Sequence, residues 1–112
     1  MKKEKWDIWN AFFKFEDNTD DGKVRPVLVL GSDEYFTISA EITKHEPREE
    51  FEGEVAIKYW QEAGLKFPST VRLTKVLELS DFSFSNKVGK LKLLDRKIIE
   101  EEMNKMNFSE QM

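Results

Sequence analysis

Phe36-Thr37-Ile38-Ser39-Ala40-Glu41-Ile42-Thr43 alternates apolar and polar residues at every step. Phe36, Ile38, Ala40 and Ile42 share one face, and Thr37, Ser39, Glu41 and Thr43 the other, which is the two-residue period of a β-strand. Tyr35 leads into it, so the strand is predicted over residues 35–43. Upstream, Gly31-Ser32-Asp33 reads as a turn, and residues 24–30 as a short, nearly all-apolar strand. Residues 6–15 form a further strand. Trp9, Ala11, Phe13 and Phe15 lie on one of its faces, and Ile8 and Phe12 add apolar surface to the other. A strand apolar on both faces is sandwiched between core layers or used at an interface.

Downstream, residues 44–54 are a glutamate-rich loop, residues 55–57 a brief strand, and residues 58–63 a helical turn ending at Gly64. Residues 70–79 alternate again, with Val71, Leu73, Leu77 and Leu79 on one face. A short connection through Asp81 and Ser85 leads to an amphipathic helix at about residues 91–106, with Leu91, Leu94, Ile98, Ile99, Met103 and Met106 as its stripe. Strands joined by tight turns and closed by one helix predict a mainly β, α+β fold: a small antiparallel barrel or sheet capped by a helix.

At 112 residues the chain is one domain's worth of protein, expected as a single unit over 1–112 with a short basic tail at 1–5. A hydrophobic content of 39% with nine Phe and three Trp suffices for a packed core and excludes global disorder. The formal charge is −4, so a generic basic coat for nucleic acid is excluded. Any nucleic-acid site must be a local basic patch on an acidic body. The absence of cysteine excludes disulfide scaffolds, thiolate zinc sites and cysteine nucleophiles. A single histidine cannot build a multi-histidine metal site. The longest purely aliphatic run, Val27-Leu28-Val29-Leu30, is far too short to span a bilayer. The lysine-rich start is not followed by an apolar signal segment, so a cytoplasmic location is expected.

Several constellations have ordinary explanations. Asp17-Asn18-Thr19-Asp20-Asp21-Gly22 resembles the start of a calcium loop, but the twelfth position is Leu28 rather than a bidentate glutamate, and the flanks read as strands. A hairpin loop closed by Asp21-Gly22 accounts for it better. Glu46, Glu49, Glu50, Glu52 and Glu54 read as a solvated loop, and His45 as a surface histidine with the chemistry, but not the company, of a general base. Met103 and Met106 read as helix filler.

Lys23-Val24-Arg25-Pro26 is more informative. Pro26 holds Arg25 in an extended backbone at a strand start and removes one ladder donor. Two readings remain. Arg25 pairs with Glu41 or with an aspartate of the preceding loop, or it is a preorganised phosphate clamp, because a guanidinium matches phosphate bidentately. Thr43, a strand-end hydroxyl beside Lys44, shifts the balance towards the second. An arginine, a hydroxyl and one or two lysines are what a metal-free phosphodiester site requires. When the substrate is RNA, its own 2′-hydroxyl serves as nucleophile.

At these residues the chain resembles the PemK/MazF family of bacterial toxins. The resemblance runs from about Asp7 to about Met103 through Asp7-Ile8-Trp9, the string Lys23-Val24-Arg25-Pro26-Val27-Leu28-Val29-Leu30, Ile42-Thr43, Gly64-Leu65, Pro68-Ser69 with Val71, and Gly89-Lys90-Leu91. It implies an SH3-like, partly open β-barrel that forms a homodimer. It implies a metal-independent endoribonuclease, without cofactor, that cuts single-stranded RNA to 2′,3′-cyclic phosphate and 5′-hydroxyl ends and is neutralised by a small acidic antitoxin. Carried over by position, Arg25 and Thr43 are the catalytic pair, and Lys23, Lys44, Ser69, Thr74 and Lys75 contact substrate. Residues 16–23 are the loop beside the site. Trp6 replaces the family's usual glycine, Lys44 a small residue, and Thr74-Lys75 an acidic-plus-amide pair. The alternative is a catalytically silent or retargeted barrel acting as a protein-interaction module, as in the gyrase-directed toxin CcdB.

Overall fold

The computed structural model describes residues 2–14 and 22–106. Phe15 of the expected first strand, and the hairpin loop over residues 17–21 with its calcium-like pattern, lie outside the described residues, as does most of the loop at 16–23.

Among the described residues six strands form one antiparallel sheet: β1 (Asp7–Lys14), β2 (Gly22–Ser32), β3 (Phe36–Thr43), β4 (Glu54–Ala56), β5 (Thr70–Ser80) and β6 (Phe84–Lys90). A single helix, α1 (Leu93–Lys105), follows. The strand order is β4-β5-β3-β2-β1-β6. The ladder does not close, since β4 and β6 are its edges. This is the expected class, an open antiparallel β structure with a terminal helix.

β6 corrects the sequence reading, which took this segment as a connection. Its sequence, Phe84-Ser85-Asn86-Lys87-Val88-Gly89-Lys90, has two apolar side chains and no alternation, so no side-chain period marks it. It is held through pairing with β1, with register shifts at Ile8/Trp9 and Asn10/Ala11.

β5 departs from the reading in a second way. Ala40 pairs with Val76 and Glu41 with Arg72, so one step in β3 spans four in β5. The three extra residues, Leu73, Thr74 and Lys75, invert the facing of the strand. Val71 and Leu73 therefore enter one core cluster with Ile8, Leu28, Ala40, Ile42, Ile57, Leu91 and Ile99. Leu77 and Leu79 join a second cluster on the other side with Ala11, Phe13, Val27 and Phe84. The four residues do not share a face, because the bulge breaks the two-residue period.

Two core layers also explain β3. Thr37 and Ser39 are fully buried and share a hydrogen bond of 3.3 Å, while Phe36 and Ile38 are exposed. The alternation is real, but in this half of the strand burial runs opposite to polarity. In β1, Ile8 and Trp9 are both buried, as a strand apolar on both faces predicts.

α1 begins two residues later than expected. Leu91 precedes it, buried, with its amide donating to the Trp6 carbonyl at 2.9 Å. The buried stripe is also rotated. Asp95 and Ile99 are buried and Met103 and Met106 pack on the core, while Leu94 and Ile98 are exposed. Asp95 occupies a core position because its carboxylate accepts the amides of Lys58 (3.0 Å) and Tyr59 (2.9 Å). It thereby caps the helical turn at 58–63 from another element. That turn ends at Gly64, as predicted, with a φ of +98°. Gly64 lies against the Val88 carbonyl and Gly89 against the Ala63 carbonyl, each too closely for a side chain. The turn is thus docked backbone to backbone on β6.

Candidate functional site

Pro26 explains where the sheet opens. It pairs with Asn10 of β1, but pairing of β2 with β3 begins only at Val27, opposite Glu41. On the β3 side, residues 22–26 are an unpaired edge, which is where a residue lacking N–H is tolerated. Continuing the Val27–Glu41 register by two residues carries Arg25 across from Thr43. At this level the two strands no longer pair, and a cleft lies between them.

The cleft has a volume of about 720 Å³. β2 supplies Lys23, Val24, Arg25 and Pro26 to its lining, and the end of β3 supplies Ile42 and Thr43, with Lys44 just beyond. The segment after the 58–63 turn adds Lys66, Phe67 and Ser69; β1 and β6 add Asn10, Asn86 and Lys87. Among the described residues, five that line it are cationic and none is an aspartate, glutamate or histidine. The described lining is a local basic patch on a chain of net charge −4.

Each wall is fixed by specific contacts. Lys44 Nζ lies 4.3 Å from the centroid of the Phe67 ring, a cation–π arrangement that holds both at the rim. The Ser69 hydroxyl donates to the Phe67 carbonyl at 2.7 Å, bracing the segment before β5, and the Thr70 hydroxyl donates to the His45 carbonyl at 2.6 Å, tying the chain just after Lys44 to the start of β5. Thr43 is buried, and among the described residues no other side chain engages its hydroxyl. Lys87 Nζ lies 3.4 Å from Asp7 Oδ1. Asp7 is itself buried and also accepts from the Glu4 amide (2.9 Å) and the Trp9 indole (3.4 Å). Burial alone would raise its pKa, but these donors and the Lys87 charge outweigh it and hold the carboxyl below its ordinary value.

Glu41 faces Arg72 at 3.7 Å. Arg72 also approaches Glu54, whose carboxylate receives the Arg48 backbone amide and guanidinium, the shortest contact being 2.6 Å. This arginine–glutamate cluster sits under β4 and β5, away from the cleft. The bonds from Arg48 outweigh burial and depress the Glu54 pKa to about 2.

The structure thus brings together Arg25, Thr43, Lys23, Lys44 and Ser69. Thr74 and Lys75 stand elsewhere, exposed on the β5 bulge, with Thr74 beside Gly53. His45 is exposed outside the cleft, with Nδ1 3.0 Å from the Glu46 carbonyl. Asn10, Lys66, Phe67, Asn86 and Lys87 are cleft residues that the sequence reading did not single out. Asn86 and Lys87 were hidden with β6. Asn10 is a polar residue inside an otherwise apolar strand, and that interruption is the one signal that marks it.

The sequence profile described as "PemK-like, MazF-like toxin of type II toxin–antitoxin system" matches residues 4–106. The chain belongs to this family. The match spans every strand, the helix and all the cleft residues of this PemK/MazF-like protein. No curated protein matches it. Membership implies an antitoxin partner, and among the described residues no helix is long and apolar enough to cross a membrane.

Proposed function

We propose that this PemK/MazF-like toxin is an endoribonuclease that binds single-stranded RNA in the cationic cleft and cuts it through the substrate's own 2′-hydroxyl. The observation that carries the reading is a cleft lined by five cationic residues, with Arg25 of β2 carried across from Thr43 at the end of β3. In this mechanism the Arg25 guanidinium lies against the scissile phosphate and stabilises the charge that builds on its oxygens. An arginine proton is too hard to remove for literal base catalysis. The Thr43 hydroxyl donates to a non-bridging oxygen, and one preorganised donor of this kind is worth about 3–4 kcal/mol of barrier. Attack of the 2′-oxygen on phosphorus, its proton passing to solvent, expels the 5′-oxygen of the next nucleotide, which takes a proton from solvent, leaving a 2′,3′-cyclic phosphate and a 5′-hydroxyl. Lys23, Lys44, Lys66 and Lys87 hold flanking phosphates, with Ser69 at the wall. Phe67, about half exposed, offers a face for a base to stack on.

The same cleft accepts the acidic antitoxin. Phe36, Ile38 and Val76, exposed on one face of β3 and β5, support a homodimer, and the cytoplasm, where its RNA is, is the proposed location. An aromatic set among lysines favours nucleic acid over the retargeted, protein-directed alternative.

The test is to incubate the wild-type protein and Arg25→Ala with a long single-stranded RNA in low salt with EDTA and to map the fragment ends. Discrete cuts bearing 5′-hydroxyl ends, abolished in Arg25→Ala, are expected. Intact RNA from a folded, antitoxin-free wild-type preparation refutes the reading.

A further inference from the structure

Lysines and an arginine grip phosphates without regard to sequence, so they leave open how the cleft tells one base from another. Among the described lining residues, Asn10 and Asn86 alone carry side-chain amides. They sit directly opposite each other in the β1–β6 ladder. Asn10 Nδ2 donates to Asn86 Oδ1 at 3.3 Å, and the Ser85 hydroxyl lies 3.1 Å from the same oxygen and 3.3 Å from the Asn10 carbonyl oxygen. Asn86 Nδ2 turns back towards the Lys87 carbonyl at 3.5 Å.

These contacts consume the Asn86 oxygen and leave a defined remainder. Asn10 retains its Oδ1 acceptor and the second N–H of Nδ2, side by side on one planar group. Adjacent acceptor and donor are the complement of a base edge that offers a donor beside an acceptor, the pattern an asparagine reads bidentately in adenine. The amide is mounted on a sheet rather than a loop, which suits a group that must hold its geometry. Asn10 pairs with Pro26, one residue along β2 from Arg25, and Asn10 and Arg25 both line the cleft.

We infer that the Asn10–Asn86 pair is the base-reading element of the cleft: Asn10 hydrogen-bonds the edge of one unstacked base next to the phosphate held by Arg25, and Asn86 fixes the orientation of that amide. This rests on the nuclease reading above. Asn10 is assigned as the specificity-determining contact and Asn86 as a positioning residue.

The experiment is end-mapped cleavage of a random-sequence single-stranded RNA pool by the wild type, Asn10→Ala, Asn86→Ala and Asn10→Asp, each first shown by thermal melting to be folded. Base frequencies around the cut are compared, so that overall rate drops out. Expected is a loss of preference of at least about fivefold at one nucleotide in both alanine variants, with the other positions unchanged. Asn10→Asp, which replaces a donor with an acceptor, should move the preference at that same nucleotide to a different base. Wild-type cutting at a defined sequence with unchanged profiles in the variants overturns the assignment and leaves the nuclease reading standing. Equal blurring at every position overturns it in favour of a purely structural pair. RNA left intact by the wild type removes the nuclease reading, and this inference with it.

Discussion

The cleft's charge sets a measurable salt dependence. Among the described residues it holds Lys23, Arg25, Lys44, Lys66 and Lys87, with Lys87 shared with Asp7 at 3.4 Å. Four to five phosphates is therefore the number one cleft can neutralise. For single strands the slope of log K against log salt is about −0.7 per phosphate, which gives about −2.8 to −3.5 here. Raising the salt from about 50 to about 200 mM should then weaken binding about 50- to 130-fold. The assay is fluorescence anisotropy with a labelled 2′-O-methyl RNA, which binds without being cut because its attacking oxygen is blocked. Lys66→Gln should make the slope shallower by about 0.7. Lys97→Gln, on the exposed side of α1, should leave it alone. A wild-type slope shallower than about −1, or equal effects from the two substitutions, would refute the claim that these side chains form the phosphate track.

Other consequences concern the scaffold. Glu54 has its pKa depressed from 4.5 to about 2, so its stabilisation is complete above pH 4.5 and is lost as pH falls through about 2. Chemical denaturation from neutral to acidic pH should show the wild type losing at most about 3 kcal/mol from this source, a loss absent from Glu54→Gln. Gly89→Ala drives a methyl group into the Ala63 carbonyl and should lower the melting temperature by about 5–15 °C in calorimetry. Asp95→Ala leaves the Lys58 and Tyr59 amides without their acceptor and should cost about 2–3 kcal/mol in urea titration; Asp95→Asn, keeping one oxygen, should cost roughly half that. Equal losses in the two Asp95 variants would show that the charge, not the acceptor, matters.

Much of the fold is legible locally. The strands at 24–30 and 35–43, the turn closed by Gly64 and the terminal helix each carry their own period or punctuation. What is not legible depends on pairing between distant segments. β6 has no side-chain pattern, because an edge strand with one lightly covered face needs only backbone partners. The β5 bulge is invisible because Val71, Leu73, Leu77 and Leu79 satisfy a two-residue period whether or not three residues loop out between them. Asp95 looks misplaced in a helix stripe until the amides it caps arrive from residues 58 and 59. In the cleft, Arg25 and Thr43 are found because Pro26 and a strand-end hydroxyl mark them. Lys66 and Phe67 look like ordinary loop residues until the turn ending at Gly64 is docked on β6.

The net charge would mislead about an anion site if taken alone, and the structure shows why. The acids nearest the fold's interior are already engaged: Asp7 by Lys87 and by the Glu4 amide, Glu54 by Arg48 and Arg72, Glu41 by Arg72, Asp95 by two backbone amides. Glu46, Glu49, Glu50 and Glu52 are exposed to solvent in the 44–53 loop, and Glu100 and Glu101 on α1. The screening length at physiological salt is about 8 Å, so an exposed carboxylate farther than this from a bound phosphate repels it only weakly. Under the proposed reading the cleft's own cations touch the phosphate directly and are screened much less. Salt therefore separates the two contributions. Lowering it strengthens the pull of the five cleft cations and also extends the reach of the distant acids. Glu100→Gln/Glu101→Gln should accordingly tighten binding of the 2′-O-methyl RNA at low salt and make no difference at physiological salt. A benefit that persists at high salt would mean that the helix acids lie close to the bound strand, and the path assigned to the RNA would have to be redrawn across α1.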